Sequence, residues 1–129
     1  MGKNLQSNFT RFWFPVIVYS GIIFIASSFP DVRTPLPEFE FDKFLHILEY
    51  APFGFLVARA MRGTWAAVPG KVLGAWASLF LFAYAVSDEY HQLFVHGRSV
   101  NVFDLLADTV GGIMGVFFYT VYRQRTGRI

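Results

Sequence analysis

The sequence predicts an all-α membrane protein: a bundle of four transmembrane helices with both termini on the cytoplasmic side. Three observations lead there. Of the 129 residues, 54% are hydrophobic and 16 are Phe, and the mean hydropathy is +0.42. A water-soluble fold this small buries too little of its surface to hide so much apolar area, whereas a lipid solvent removes the difficulty. The apolar residues also fall into four runs, each close to the ~20 residues a helix needs to cross roughly 30 Å of hydrocarbon. Finally, the charges separate by side. With both termini inside, the cytoplasmic ends carry Lys3, Arg11, Arg59, Arg62, Lys71, Arg123, Arg125 and Arg128, eight of the eleven Lys and Arg. The outer side then holds Arg33, Lys43, Arg98, all nine acids and all three histidines, as the positive-inside rule expects.

The elements follow in order. FWFPVIVYSGIIFIASSF (12–29) is the first span, with Pro15 tolerated in its first turn. No small-residue cleavage site follows it, so it reads as a retained helix. PDVRTPLPEFEF (30–41) is too rich in proline to be helical. DKFLHILEYAPFGFLVARAM (42–61) is the second span, polar at its start. KVLGAWASLFLFAYAVSDEYHQL (71–93) is the third, apolar until Ser87. VFDLLADTVGGIMGVFFYTVY (102–122) is the fourth, with Asn101 or Ser99 as its N-cap. Trp13, Trp65 and Trp76 fall near the cytoplasmic interface, where indoles prefer to lie. Arg59 and Arg62 read as topology determinants that snorkel to that surface. Residues 1–129 make a single domain, without internal repeats.

Several function classes are excluded. The net charge is +2 and the pI about 9.1, but the basic residues are scattered without an aromatic-basic motif, so nucleic acid is not a partner. There is no cysteine, hence no disulfide, thiolate ligand or thiol nucleophile. Neither GxSxG nor a P-loop is present.

Polar residues cluster where the spans begin or end on the outer side. At about 100° per residue, Asp42, His46 and Glu49 share a face of the second helix, and Asp88, His91 and Gln92 a face of the third, with Glu89 to one side. Asp104 and Asp108 are one turn apart on the fourth, with Gly111 and Gly115 continuing that face inward. An ionised side chain at mid-bilayer costs about 2.5–3.5 kcal/mol, so these faces must meet a partner or a wet cavity. They are expected to converge between the second, third and fourth helices. Gly111, Gly112 and Gly115 should permit close helix contact, and Pro52 frees the carbonyl of Leu48. The turn HGRS (96–99) brings Arg98 over the cavity mouth, while His96 reads as a solvated turn residue.

These residues carry a resemblance. DKFLHILEYAPFGFL with SDEYHQLFVHGRSVNVFDLLADTVGGIMG is similar to the VanZ-like family of small bacterial membrane proteins. That family's recurring pattern falls on Asp42, Lys43, His46 and Tyr50, then on Asp88, Glu89 and Gln92. It continues with Gly97, Arg98 and Ser99, then Asp104, Gly111 and Gly115. Asp108 stands where the family often has Asn, and His96 where it often has Pro. The resemblance implies a multi-pass protein of the bacterial plasma membrane linked to the cell envelope, since the namesake contributes low-level teicoplanin resistance. It adds Lys43, Tyr50 and Ser99 to the cavity residues Asp42, His46, Glu49, Asp88, Glu89, Gln92, Arg98, Asp104 and Asp108.

Three readings remain. The cavity binds or moves a membrane lipid, a lipid-linked envelope precursor or a lipoglycopeptide. Alternatively, the pairs His46-x-x-Glu49 and Asp88-x-x-His91 hold a divalent metal, as i, i+3 carboxylate–histidine pairs do in two-metal bundles, and the protein hydrolyses a lipid phosphoester. In the third, the charges form a packing network that fixes the helices. The residues establish no other cofactor, and they leave the oligomeric state and the question of catalysis open.

Overall fold

The computed structural model describes residues 2–30 and 38–128, with side chains over 9–30 and 41–128. These residues form four helices and no strand: α1 (Gly2–Ser27), α2 (Glu38–Thr64), α3 (Gly70–Gln92) and α4 (Val102–Thr126). The four expected spans each lie on one helix, and the differences are at the ends. Residues 38–41 are helical rather than loop. The last proline of that segment is Pro37, and beyond it nothing removes an amide donor. Residues 31–37, with Arg33, lie outside the described residues, as does the side chain of Lys3. Asn101 is the N-cap of α4, its side chain accepting from the Phe103 amide at 3.0 Å. At the other end α4 stops at Gly127, whose φ of 64° suits a residue without Cβ.

Three stretches, Phe9–Ser27, Gly70–Gln92 and Val102–Thr126, are long and apolar enough to cross a membrane. Their outward surfaces carry Phe14, Ile17, Phe82 and Phe117, all exposed. Such surfaces are a liability in water and match a lipid solvent. The core beneath them is built on Tyr50, Phe53, Val57 and Leu81, each fully buried. On α3 the buried positions Leu73, Ala77, Leu81 and Ala85 recur every fourth residue and end on Asp88 and Gln92, so one face passes from apolar to polar along its length.

The position of α2 decides where the site lies. It packs against each of the other helices, while the backbones of α1 and α4 do not approach each other among the described residues. Against α4 the contact is backbone on backbone. A Cβ on Gly115 would collide with the Ala51 carbonyl, one on Gly111 with the backbone of Ile47, and one on Gly54 with the carbonyl of Gly112. On the other side, α1 is held by two phenols: Tyr19 Oη donates to the Glu49 carbonyl at 2.9 Å, and Tyr84 Oη donates to the Ser20 carbonyl at 2.6 Å.

Candidate functional site

On α2, Asp42, Lys43, His46 and Glu49 follow one another at helical spacing, and α4 brings Asp104 and Asp108 against them. Lys43 donates to Asp42 Oδ2 at 2.7 Å and is ion-paired with Asp104. One turn on, His46 Nδ1 stands 2.8 Å from Asp108 Oδ1. A carboxylate opposite Nδ1 favours a proton there and leaves Nε2 facing the other two carboxylates. Nε2 lies 3.8 Å from Asp42 Oδ1 and 4.0 Å from Asp104 Oδ2. Single oxygens of Asp42 and Asp104 and a nitrogen of His46 fall within 4.8 Å of one another.

From α3, Gln92 Nε2 donates to Asp88 Oδ2 at 3.3 Å. Glu89 turns toward α4, where its Oε2 accepts from the Asn101 amide at 3.0 Å. The layer is far from saturated. Asp88 Oδ1, Glu89 Oε1, Gln92 Oε1, Asp108 Oδ2 and Tyr50 Oη are buried without a protein partner. Buried polar atoms are nearly always hydrogen-bonded, so four acceptor oxygens and one phenol left over in one region mark a place with unmet hydrogen-bonding capacity.

The cavity lies on the side of α2 away from α4. It holds about 270 Å³ and is walled by Ala26, Ser27, Phe29 and Pro30 as well as by Asp42, Leu45, His46, Glu49, Asp88, Gln92 and Arg98. The polar faces of α2, α3 and α4 do meet as expected, through Lys43 with Asp104, His46 with Asp108 and Glu89 with Asn101, but this cavity opens between α1, α2 and α3 rather than beside α4. The reason is steric: the glycines bring α2 and α4 together and leave no room there. Asp104 and Asp108 stand behind α2's polar face instead of in the cavity wall.

Other expected residues separate too. His91 does not join Asp88. Its Nε2 pairs with Ser28 Oγ at 3.0 Å, and its ring stacks on Phe24 with centroids 4.2 Å apart. On α3 the wall residues Asp88 and Gln92 are about 40° apart, whereas His91 sits about 80° to one side of them and Glu89 about 80° to the other. Of the metal set His46, Glu49, Asp88 and His91, only His46 belongs to the compact donor group found among the described residues, which it forms with Asp42 and Asp104. Ser99 and His96 are exposed and outside the cavity wall. Tyr50 is buried in the core against Phe53. Arg98 does reach the mouth, since Gly97 takes a φ of 83° beside Pro30. There its Nε donates to the Phe29 carbonyl at 2.8 Å and its Nη2 to the Ala26 carbonyl at 3.4 Å. Arg62 was expected to snorkel; it is buried, donating to the carbonyls of Ala66 and Val68, because loop carbonyls at a helix end need donors.

Two contributions escaped the sequence. The C-terminus of α1 forms a wall of the cavity, and nothing in its apolar run signals that. Gly54 completes the α2–α4 contact opposite Gly112, a pairing that the sequence alone does not signal.

An all-helical membrane protein with a polar, incompletely bonded centre at one end of its bundle is thereby defined. The chain belongs to the VanZ/LLP1 family, whose model matches residues 4–123, nearly its whole length. No curated protein and no solved structure matches it.

Proposed function

We propose that this is a multi-pass protein of the bacterial plasma membrane whose cavity binds or moves the headgroup of a lipid-linked envelope precursor or a lipoglycopeptide, in a role like teicoplanin resistance. All four helices cross in this reading, with both termini in the cytoplasm. The fourth, α2, is too polar to count as apolar, but it packs against all three others, and polar spans survive when protein surrounds them. The site carries Asp42, Lys43, His46, Glu49, Asp88, Glu89, Gln92, Arg98, Asp104 and Asp108. The observation behind the proposal is the cavity itself: about 270 Å³, open beside α1, with Asp88 and Gln92 each keeping an unpartnered buried oxygen. That volume is below the ~300–1,000 Å³ of pockets that take whole drug-sized ligands. It suits a hydroxyl- or amine-bearing headgroup whose chains stay in lipid. The test is teicoplanin susceptibility of cells carrying the protein or its Asp88→Asn, Glu49→Gln and Arg98→Gln forms, with membrane accumulation measured alongside. Full protection from variants that accumulate normally would remove the cavity from the function.

One observation favours a second reading, a metal-assisted hydrolase of a lipid phosphoester. Asp42, His46 and Asp104 have the donor types and proximity for a divalent ion, which would supply an activated water. Lys43 weighs against it, because its ammonium already pairs with both carboxylates.

A further inference from the structure

The far end of the bundle has the opposite character. No Asp or Glu occurs between Tyr50 and Ser87 or after Asp108, so the cations there have no acid nearby in sequence to pair with. A cavity of about 280 Å³ opens at that end between α2, α3 and α4, and Arg62, Lys71, Tyr119 and Arg123 line it. Two buried polar groups in this lining have no partner: Tyr119 Oη and Arg123 Nε. Tyr119 is only 4% exposed, so bulk water does not serve its hydroxyl, and a buried donor of this kind implies an acceptor. Arg62 commits Nη1 to loop carbonyls at 3.0 and 2.9 Å. Its Nη2 lies 3.1 Å from where a Cβ on Gly70 would stand.

The N-terminus of α3 opens into the same space. Its cap is Pro69, which offers no side-chain acceptor, and the first amides of a helix have no acceptor within it. Gly70 and Lys71 both line the cavity, so the positive end of the helix dipole lies at its edge. Three cations, a helix start and an orphaned phenol around one small space call for an anion with several oxygens.

We propose that this cavity binds a phosphate group, carried on a phospholipid headgroup or on a soluble phosphate. A carboxylate offers two oxygens in a plane; a phosphate offers oxygens in a tetrahedron, which matches donors converging from three helices. The site is independent of the acidic cavity and of its proposed ligand.

The test uses the full chain purified in a phosphate-free maltoside detergent. One arm titrates inorganic phosphate by calorimetry. The other adds phosphatidylglycerol to the micelles and counts retained lipid by native mass spectrometry. Binding in the first arm identifies a soluble phosphate and binding in the second alone a headgroup; either supports the site. Arg123→Gln is expected to weaken binding by about tenfold or more, and Tyr119→Phe by about threefold to tenfold. Tyr119→Phe keeps the ring that packs edge-on against Phe55 at 5.3 Å, so a folding defect does not imitate lost binding. Silence in both arms, or binding that either substitution leaves undiminished, overturns the proposal.

Discussion

His46 Nδ1 and Asp108 Oδ1 meet at 2.8 Å across the glycine-lined contact between α2 and α4. Asp108 is fully buried and its second oxygen has no partner, so the histidine is its main protein contact. The two residues depend on each other: either one alone leaves a buried polar group unsatisfied, which costs more than the pair contributes.

That dependence gives a measurable coupling. In a double-mutant cycle on thermal stability in detergent, His46→Gln and Asp108→Asn should show an interaction of about 0.5–3 kcal/mol. Asp108→Asn, which keeps an acceptor for Nδ1, should be milder than Asp108→Leu. Additive effects would mean that the two side chains do not interact in the folded protein.

The glycine contact makes a second prediction. Gly115→Ala and Gly54→Ala each place a Cβ on facing backbone, which cannot rotate aside as a side chain can. Each should destabilise by about 1–3 kcal/mol or more, and the polar residues of α2 and α4 that pair across this contact should lose register. Gly21→Ala is the control: a Cβ there meets nothing within 4 Å, and alanine is the better helix former by about 1 kcal/mol. Equal melting temperatures for all three variants would show that α2 and α4 do not pack this closely.

How much of this was legible in the sequence depends on which physical signal each residue sends. Asp42, His46, Asp88, Gln92, Asp104 and Asp108 could be grouped because charges in an apolar helix have only one affordable direction, inward. Asn101 was readable as a cap from its type and place. Tyr19 and Tyr84 were not, because a phenol hydrogen-bonded to a neighbouring helix has the same sequence signature as one lying at an interface. His91 was misplaced for a geometric reason: positions three apart on a helix share a broad face, but that face divides when two different neighbours pack on it. The cavity's third wall came from α1, whose apolar residues look alike whether they meet lipid or line a pocket.

Orientation is tested directly. Eight of the eleven Lys and Arg flank one side in the proposed topology. A reporter fused at Ile129 should be active only when it reads the cytoplasm, and an alkaline phosphatase fusion there should be silent. The same fusion placed after Gly97 should be active. Reversed activities would put the acidic cavity on the cytoplasmic face and end the envelope-ligand proposal.

Lys43 separates the binding protein from the metal enzyme. Its ammonium pairs with Asp42 and Asp104, the carboxylates that with His46 form the one compact group suited to a divalent ion among the described residues. An ammonium and a metal ion compete for those oxygens. If the protein is a metal enzyme, purified wild type should hold near-stoichiometric metal that a chelator removes, and Lys43→Met should bind it more tightly. His46→Ala and Asp104→Asn should then weaken metal binding by about tenfold or more, with affinity falling as pH drops, because ligands must be deprotonated. If the cavity serves a headgroup, wild type should be metal-free by elemental analysis, yet active. Lys43→Met should then destabilise the fold, since it leaves two carboxylates facing each other without their cation. Our expectation is the second pattern, and chelator-sensitive metal in wild-type protein would reverse it.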